Sequence, residues 1–526
     1  TVHTATNRHD RLKTDCLNAE VNYEDNTVSR YTRENFSFAG TWKSGVSDIT
    51  GDNAIFQKIK NSQWELKNYF NQLYTKEKYT WGIRSYIRYT HCPASLTVAH
   101  RNLPILFADN MLIANCIYHR NELSSSDNIS ENTYRTVIGQ THESILAEYE
   151  EMNTGNAYTD NALYGMRKIN GVNYQLTGGF CGELSSVKQE NAYSAHSYSF
   201  YTVPRIEWER NDFLFTAATT VRWSHLPKQS YSRFCVSPFF CFRYKFTPRW
   251  KMSLLGSLDE SEGGLKDIYP FRYREDYRTV VKHTGKVPVT VRQLYTCYLE
   301  YKNTIKEFFW TLSASYSHNR YNLITERNYK DGNFYLSSVE RNHSSHSYTL
   351  NTIGSKGIYD WNLKTSLELT LARNKGKQLN EDIVQDYRYD YLCVEPKIVW
   401  APSVFFEAEY KATVSCVGGG IGEDTRLDPL WEVAQRLTLS LEFHDTEFCL
   451  SGEHFYNDLS KNQHLNTWLA DVSLIHKAGK WRFAASAINL FNKEQYRYTL
   501  YSAVQSYTSW IKLRPREFMV SVQYQW

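Results

Sequence analysis

Polar and apolar residues alternate singly along much of this chain, most cleanly at its end. Phe518, Val520, Val522, Tyr524 and Trp526 share one parity, and Met519, Ser521, Gln523 and Gln525 share the other. Period two over nine residues predicts a β-strand with one apolar face. The pattern recurs upstream. Trp361, Leu363, Leu367, Leu369 and Leu371 alternate with Asn362, Lys364, Ser366, Glu368 and Thr370, and Val404, Phe406, Ala408, Tyr410 and Ala412 alternate with Phe405, Glu407, Glu409, Lys411 and Thr413. Leu437, Leu439, Leu441 and Phe443 alternate with Thr438, Ser440, Glu442 and His444. Near the start, Leu17, Ala19, Val21 and Tyr23 and then Tyr79, Trp81, Ile83, Ile87 and Tyr89 hold the apolar parity. The second face carries charge. A sandwich core could supply the apolar face, but its strands usually stop near five or six residues, whereas these reach the nine or more that a tilted membrane strand needs.

Short polar breaks separate the runs at Thr247-Pro248-Arg249, Asn303-Thr304, Lys356-Gly357, Ala401-Pro402-Ser403, His444-Asp445-Thr446 and Ala478-Gly479. Trp250, Trp310, Trp361, Trp400 and Trp481 each lie within a few residues of such a break. Tryptophan gathers at a membrane–water boundary because its ring is apolar and its N–H wants a wet partner, so these five are read as an aromatic girdle. The breaks recur about every 46 residues, and two membrane strands need only roughly 20–24 of those. Long connections are therefore expected opposite the short turns, around 257–290, 317–346, 373–388, 416–432, 455–464 and 492–509. At that spacing the chain holds about 22 strands, within a range of about 18–24. The fold expected is all-β: a transmembrane antiparallel β-barrel over 1–526, with short periplasmic turns and long extracellular loops. A barrel that wide needs a plug.

Composition agrees. Of 526 residues 15% are aromatic, the mean hydropathy is -0.56, and no apolar run approaches the length of a membrane helix. Heptads, a glycine period and the composition of a disordered chain are absent. With 60 basic and 56 acidic residues the chain has no electrostatic footprint for nucleic acid. The ten cysteines (Cys16, Cys92, Cys116, Cys181, Cys235, Cys241, Cys297, Cys393, Cys416, Cys449) form no C-x-x-C pair, which excludes the usual zinc and redox motifs. They read as small apolar side chains, with room for one disulfide at most, and Cys235 and Cys241 lie too close along one strand to pair. The chain opens Thr1-Val2-His3-Thr4, without a charged-then-apolar leader, and is expected to be a processed or truncated product.

The last 46 residues carry a resemblance. Asn489-Leu490-Phe491-Asn492, then Tyr496, then Leu513-Arg514-Pro515-Arg516, and a final strand ending in an aromatic are similar to the C-terminal end of TonB-dependent outer-membrane receptors. The likeness is strongest to the subgroup with a carboxypeptidase-like regulatory domain, with looser support from Ser237-Pro238-Phe239 and Asp276-Tyr277-Arg278. The resemblance implies that Phe518, Val520, Val522, Tyr524 and Trp526 form the signal read by the barrel-assembly machinery. It also implies a plug and a TonB-contacting box on the N-terminal side of the barrel, neither of which is found in residues 1–526, so TonB would act only through a region outside them. The expected activity is uptake of a scarce solute (a siderophore, glycan or peptide) across the outer membrane, without cofactor or catalysis. A non-transporting surface barrel for adhesion or docking is the alternative, and a barrel enzyme a more distant one.

Other candidates for chemistry are weak. Gly418, Gly419, Gly420 and Gly422 lack the following Lys-Ser/Thr of a phosphate loop and read as a flexible outer loop. Asp259, Glu260 and Glu262 match no calcium-loop spacing and read as a solvated tip. His343 and His346 have no catalytic partner spacing. Lys364, Glu368, Glu395, Lys397, Glu407, Glu409 and Lys411 share the expected inner face, and Pro396 falls on the apolar one, where it removes a ladder hydrogen bond.

Overall fold

In the computed structural model, residues 6–51, 54–76, 79–101, 133–137, 143–189, 192–274, 279–330, 333–422, 425–460, 463–501 and 506–524 are described. The first third holds β1 (Thr6–Asn26), β2 (Arg30–Gly51), β3 (Ala54–Lys76), β4 (Tyr79–Arg101), β5 (Thr133–Val137), β6 (Glu143–Ile169) and β7 (Val172–Lys188). Next come β8 (Ala192–Arg210), β9 (Phe213–Leu226), β10 (Tyr231–Thr247), β11 (Trp250–Glu262), β12 (Tyr273–Arg274), β13 (Thr279–Lys282) and β14 (Val289–Asn303). Then follow β15 (Phe308–Lys330), β16 (Asn333–Ile358), β17 (Leu363–Asn380), β18 (Ile383–Ser403), β19 (Phe406–Ile421) and β20 (Thr425–Phe443). The last are β21 (Thr446–Ser460), β22 (Gln463–Ala478), β23 (Trp481–Ile488), β24 (Gln495–Tyr501), β25 (Ser506–Lys512) and β26 (Glu517–Tyr524).

All but β24 and β25 belong to one 24-stranded sheet. Three of its members, β5, β12 and β13, are short pieces within long connections, which leaves 21 strands in a single antiparallel up-and-down meander from β1 to β26. Among the described residues no ladder joins β1 to β26, so the sheet is open there.

The alternation fixes the register, because a one-residue slip would move every apolar side chain to the other face. Phe406, Leu441, Phe448, Leu474, Ala485 and Val520 stand opposite one another in one row across six strands. In the less regular first part, Ala19, Phe38, Leu66, Tyr89, Ala157 and Leu184 form a comparable row. This apolar face is not a core. Val520 is 80% exposed and Leu367 50%. The chain exposes 33168 Å², against about 20,000 Å² expected for a compact monomer of this mass. A water-soluble sheet would bury this face; here it is left for a non-aqueous surrounding.

Short turns do lie on one edge, but two are displaced from the expected positions. The turn between β16 and β17 is Tyr359–Asn362, closed by a 3-10 turn with Asn362 in the left-handed region, not Lys356-Gly357. The turn after β18 is Val404–Phe405, so Val404 leaves the strand pattern. Three more turns on this edge, at 27–29, 170–171 and 211–212, follow from the strand limits of the first part, and the β3–β4 ladder also ends here, at Lys76 opposite Tyr79.

The long connections need a larger correction. The segments expected as loops at 317–346, 373–388 and 416–432 are mostly strand. β15 and β16 stay paired from Phe308↔Lys356 to Lys330↔Asn333, and β17 and β18 from Leu363↔Trp400 to Asn380↔Ile383. A tilted strand crosses a membrane in about 9–11 residues, so the 26 residues of β16 would carry the hairpin far beyond one. The glycine-rich stretch Gly418–Gly420 belongs to β19 and is no loop, with Gly422 just beyond it. Asp259, Glu260 and Glu262 lie on β11, not at a tip, and Glu260 pairs with Arg233 at 3.0 Å. Pro396 does sit on the apolar face, opposite Leu367. Its missing donor shows as a gap in the β18–β19 ladder between Val394↔Val414 and Lys397↔Lys411.

Candidate functional site

The polar face gathers charged, amide and hydroxyl side chains from neighbouring strands. Because β17, β18 and β19 keep strict alternation, Lys364, Glu368, Glu395, Lys397, Glu407, Glu409 and Lys411 all project from it, as their spacing predicts. Glu368 and Glu395 stand directly opposite each other. The Asn351 amide donates to Glu368 at 2.8 Å and to Thr370 at 2.9 Å, which partly offsets the repulsion of two facing carboxylates. Two residues along, Lys397, Lys411 and Arg436 share one row. Glu409 answers Lys397 at 3.2 Å and Glu453 answers Arg436 at 3.5 Å. The wall thus carries a pair of facing carboxylates, one bonded by an amide, and, beside it, a row of cations answered by Glu453 within the row and by Glu409 from the next.

A second network on the same face was not anticipated from the sequence. The Arg84 guanidinium reaches Asp160 at 3.3 Å and the Tyr201 hydroxyl at 3.2 Å, while Tyr201 donates to Asp160 at 2.7 Å. Nearby, Asn156 donates to Glu183 and to Ser185, and Arg88 lies over the Tyr158 ring at 5.5 Å. Glycine makes room for the large rings: a Cβ on Gly179 would lie 2.4 Å from Tyr201 Cζ, and one on Gly82 2.7 Å from Tyr164 Cζ. The signal was Gly178-Gly179 in the middle of an otherwise regular strand, which marks a close approach by a neighbour.

At the end away from the short turns, residues 263–274 and 279–288 lie outside the meander, with β12 and β13 paired to each other. Ile268, Tyr269, Tyr273, Val281 and Val287 pack with Val187, Tyr193, Ala195 and Leu226 into the largest buried apolar cluster of the described residues. Val187, Tyr193, Ala195 and Leu226 are on the polar-face parity of β7, β8 and β9, so the segment lies against the inner side of these strand ends. Farther along, β13 pairs in parallel with β16, Thr279 opposite Phe334 to Lys282 opposite Ser337. One connection thus links the rims of β7–β9 and β16. Asn322, at a bulge in β15, holds its end by accepting from Val289 N at 2.7 Å and donating to Val287 O at 2.9 Å.

The remaining sequence candidates divide by place. Trp250, Trp310, Trp361, Trp400 and Trp481 all lie at the short-turn edge. Trp250 meets Tyr301 at 4.8 Å and Trp310 at 5.9 Å, and Trp481 meets Tyr524 at 4.8 Å. Asn489, Leu490, Asn492 and Arg516 are hydrogen-bonded into a clamp at the base of the β23–β26 connection, while Phe491, next to them in the chain, is exposed and Pro515 adjoins Arg516. Asn489, left-handed and buried, donates to the carbonyls of Lys493 (2.8 Å) and Arg514 (2.9 Å) and accepts from Lys493 N. Asn492 accepts from Arg516 N at 2.9 Å, and the Arg516 guanidinium donates to the Leu490 carbonyl. Phe518, Val520, Val522 and Tyr524 share the apolar face of β26, while Trp526 lies outside the described residues, as do Cys116 and Asp276-Tyr277-Arg278. The nine described cysteines are free thiols, with no disulfide among them. His343 and His346 form no catalytic pair: His346 bonds the Tyr316 hydroxyl at 3.0 Å and stacks on His318, and His343 stacks on Tyr321.

No family model matches the chain, and no curated protein does. Solved structures do align with it. The ferric enterobactin receptor of Pseudomonas aeruginosa aligns at 9% identity over 99% of this chain and 82% of that one, with a TM-score of 0.40. The outer membrane transporter YddB from Escherichia coli aligns at 10% identity over 97% and 75%, with a TM-score of 0.41. The ferric yersiniabactin uptake receptor FyuA from Yersinia pestis aligns at 9% identity over 99% and 80%, with a TM-score of 0.35.

Proposed function

We propose that this chain is an outer-membrane β-barrel that takes up a scarce solute, in the manner of the TonB-dependent receptors its C-terminal motif resembles, and that it is not an enzyme. The observation that carries the reading is the pairing of faces. A continuous exposed apolar face runs along the 21-strand meander, backed by a face of charges, amides and hydroxyls. Only a sheet with lipid outside and water inside makes that distribution favourable, since unpaired charges on the lipid side cost about 2–4 kcal/mol near the midplane. The tryptophans at the short-turn edge then sit at the periplasmic boundary, and the long paired hairpins extend from the cell surface as capture elements.

Strand direction adds a condition. β1 and β26 are both odd members of the meander and run the same way, so they cannot close on each other as an antiparallel pair. One further strand, antiparallel to both, closes the barrel at 22. TonB coupling and a plug would enter through segments beyond those described.

The test is membrane assembly followed by uptake. The full-length protein should fractionate with outer membranes, migrate as a heat-modifiable barrel, and expose its hairpin tips near 381–382 and 422 to protease added outside intact cells. A deletion strain should lose accumulation of one solute from a panel of radiolabelled ferric siderophores, oligosaccharides and peptides, regained with the wild-type gene. A protein that stays monodisperse in buffer without detergent would overturn the membrane reading. A correctly inserted barrel whose loss alters no uptake would overturn the transport reading alone.

A further inference from the structure

High on the apolar face, His346, Lys375, Arg388, Gly420 and Arg426 stand directly opposite one another on β16, β17, β18, β19 and β20. Like charges opposite each other across a ladder are about 4.5–5.5 Å apart at Cβ and oppose sheet formation. Lys375 faces Arg388 in this way, and among the described residues no ion pair holds Lys375 or Arg426. In the next row toward the short turns, Arg373 and Arg388 share Asp390, at 2.5 Å and 3.0 Å. In the row on the other side, Lys377 reaches Asp386 at 3.4 Å. Among the described residues of these three rows five cations thus face two carboxylates, and Gly420, without a side chain, leaves a gap in the middle.

Immediately below lies an apolar shelf of Leu350, Leu371, Leu392 and Cys416, each opposite the next. Shelf and cations border one open groove of about 1150 Å³, with Lys375, Arg388 and Arg426 continuing into an adjoining one of about 690 Å³. A soluble anion would use the cations and leave the shelf bare; a neutral acyl chain would use the shelf and leave the cations unanswered.

We propose that this groove binds a phosphate-bearing, multiply acylated lipid of the surrounding leaflet, its phosphate held by Lys375, Arg388 and Arg426 around the gap at Gly420 and its acyl chains laid along Leu350, Leu371, Leu392 and Cys416. The inference rests on reading the chain as a membrane barrel. It gives the glycine-rich stretch a purpose that a phosphate-loop motif does not: the glycines clear the apolar face so that an anion can approach three strands at once.

The test uses full-length protein, delipidated in detergent and checked for heat-modifiable migration. Three probes are titrated and read by native mass spectrometry: a hexaacylated bisphosphorylated glucosamine disaccharide, the same headgroup deacylated, and inorganic phosphate. The acylated probe is expected to bind at least 100-fold more tightly than the other two. The K375Q/R388Q/R426Q variant should weaken it tenfold or more, and K364Q/K397Q on the opposite face should leave it unchanged. If the triple variant fails to fold, Lys375→Gln alone, exposed and without an ion pair, is expected to lose threefold or more. Undiminished binding by the folded triple variant, or by K375Q where that carries the test, overturns the proposal. So does equal binding of the deacylated probe or phosphate, which would mark a site for soluble anions. Failure of the wild-type chain to form a barrel overturns the membrane reading; a folded barrel with unaltered lipid retention in the variants overturns the lipid site alone.

Discussion

Leu367→Arg separates a lipid-facing sheet from a water-facing one. Leu367 projects from the apolar face of β17 and is 50% exposed, with Gly354 and Pro396 opposite it on the neighbouring strands. Neither neighbour offers a carboxylate. Leu367 lies four residues above Leu363, the first of its strand, or about 13 Å along it, and about 10 Å up a membrane at a tilt of 35–45°. The apolar band of such barrels is about 25 Å tall, which puts the position near the midplane, where an arginine costs about 2–4 kcal/mol. That corresponds to a loss of about 30-fold to 1000-fold in the folding equilibrium. In water, replacing a half-exposed leucine would change stability by about 0.5 kcal/mol or less. The control is Thr413→Arg, on the polar face of β19 two residues from Lys411 and opposite Ala434, expected to be near neutral. Both are measured by urea unfolding in phosphatidylcholine vesicles, followed by tryptophan fluorescence. An L367R protein within about 0.5 kcal/mol of wild type, or equal losses in both variants, would refute the assignment of faces.

Other expectations follow from individual contacts. Gly179→Val should drive Tyr201 from its site and cost about 1–3 kcal/mol, because even a Cβ would lie 2.4 Å from its ring; in a Tyr201→Ala background, measured by the same unfolding assay, most of that cost should vanish. Asn489→Ala removes three hydrogen bonds from a left-handed residue and should cost about 2–3 kcal/mol, seen as faster hydrogen exchange around 489–494 and 513–516 with the distant strands unchanged. Trp526→Ala should block membrane assembly while leaving synthesis intact; normal heat-modifiable barrel from that variant would sink the assembly-signal reading. His343, on the part of the β15–β16 hairpin beyond the membrane, is held below the ordinary histidine pKa chiefly by burial and further by Lys377, against the opposing effect of the hydrogen bond its ring donates to the Arg341 carbonyl. The folded hairpin therefore binds its proton less readily than the unfolded one. Stability at this site is unaffected above about pH 6.5 and falls as pH drops from there toward the folded pKa. Protection factors at residues 320–330 and 333–345, taken relative to the intrinsic exchange rate at each pH, should fall between pH 7 and pH 5 in wild type and markedly less in His343→Gln.

Much of this architecture is local and was therefore legible in the chain. Period two decides which face each side chain takes, so the apolar stripe of β26, the shared face of Lys364 to Lys411 and the tryptophan edge follow from residue order alone. Turn positions held at Thr247-Pro248-Arg249, Asn303-Thr304, His444-Asp445-Thr446 and Ala478-Gly479 and slipped at Lys356-Gly357 and Ala401-Pro402-Ser403, where Gly357 and Pro402 stay within β16 and β18 and the chain turns at Tyr359–Asn362 and Val404–Phe405 instead. The extent of the strands was less legible. The polar segments read as loops at 317–346 and 373–388 remain paired because each hairpin satisfies its own backbone hydrogen bonds, whatever its side chains. Tertiary structure alone decided what residues far apart in the chain do together: Arg84 with Asp160 and Tyr201, Ile268, Tyr269, Tyr273, Val281 and Val287 against the rim of β7–β9, and the cations of β16–β20 above a leucine shelf. Those contacts depend on the registers of several ladders at once, and one strand's alternation fixes its facing but not its offset against the next.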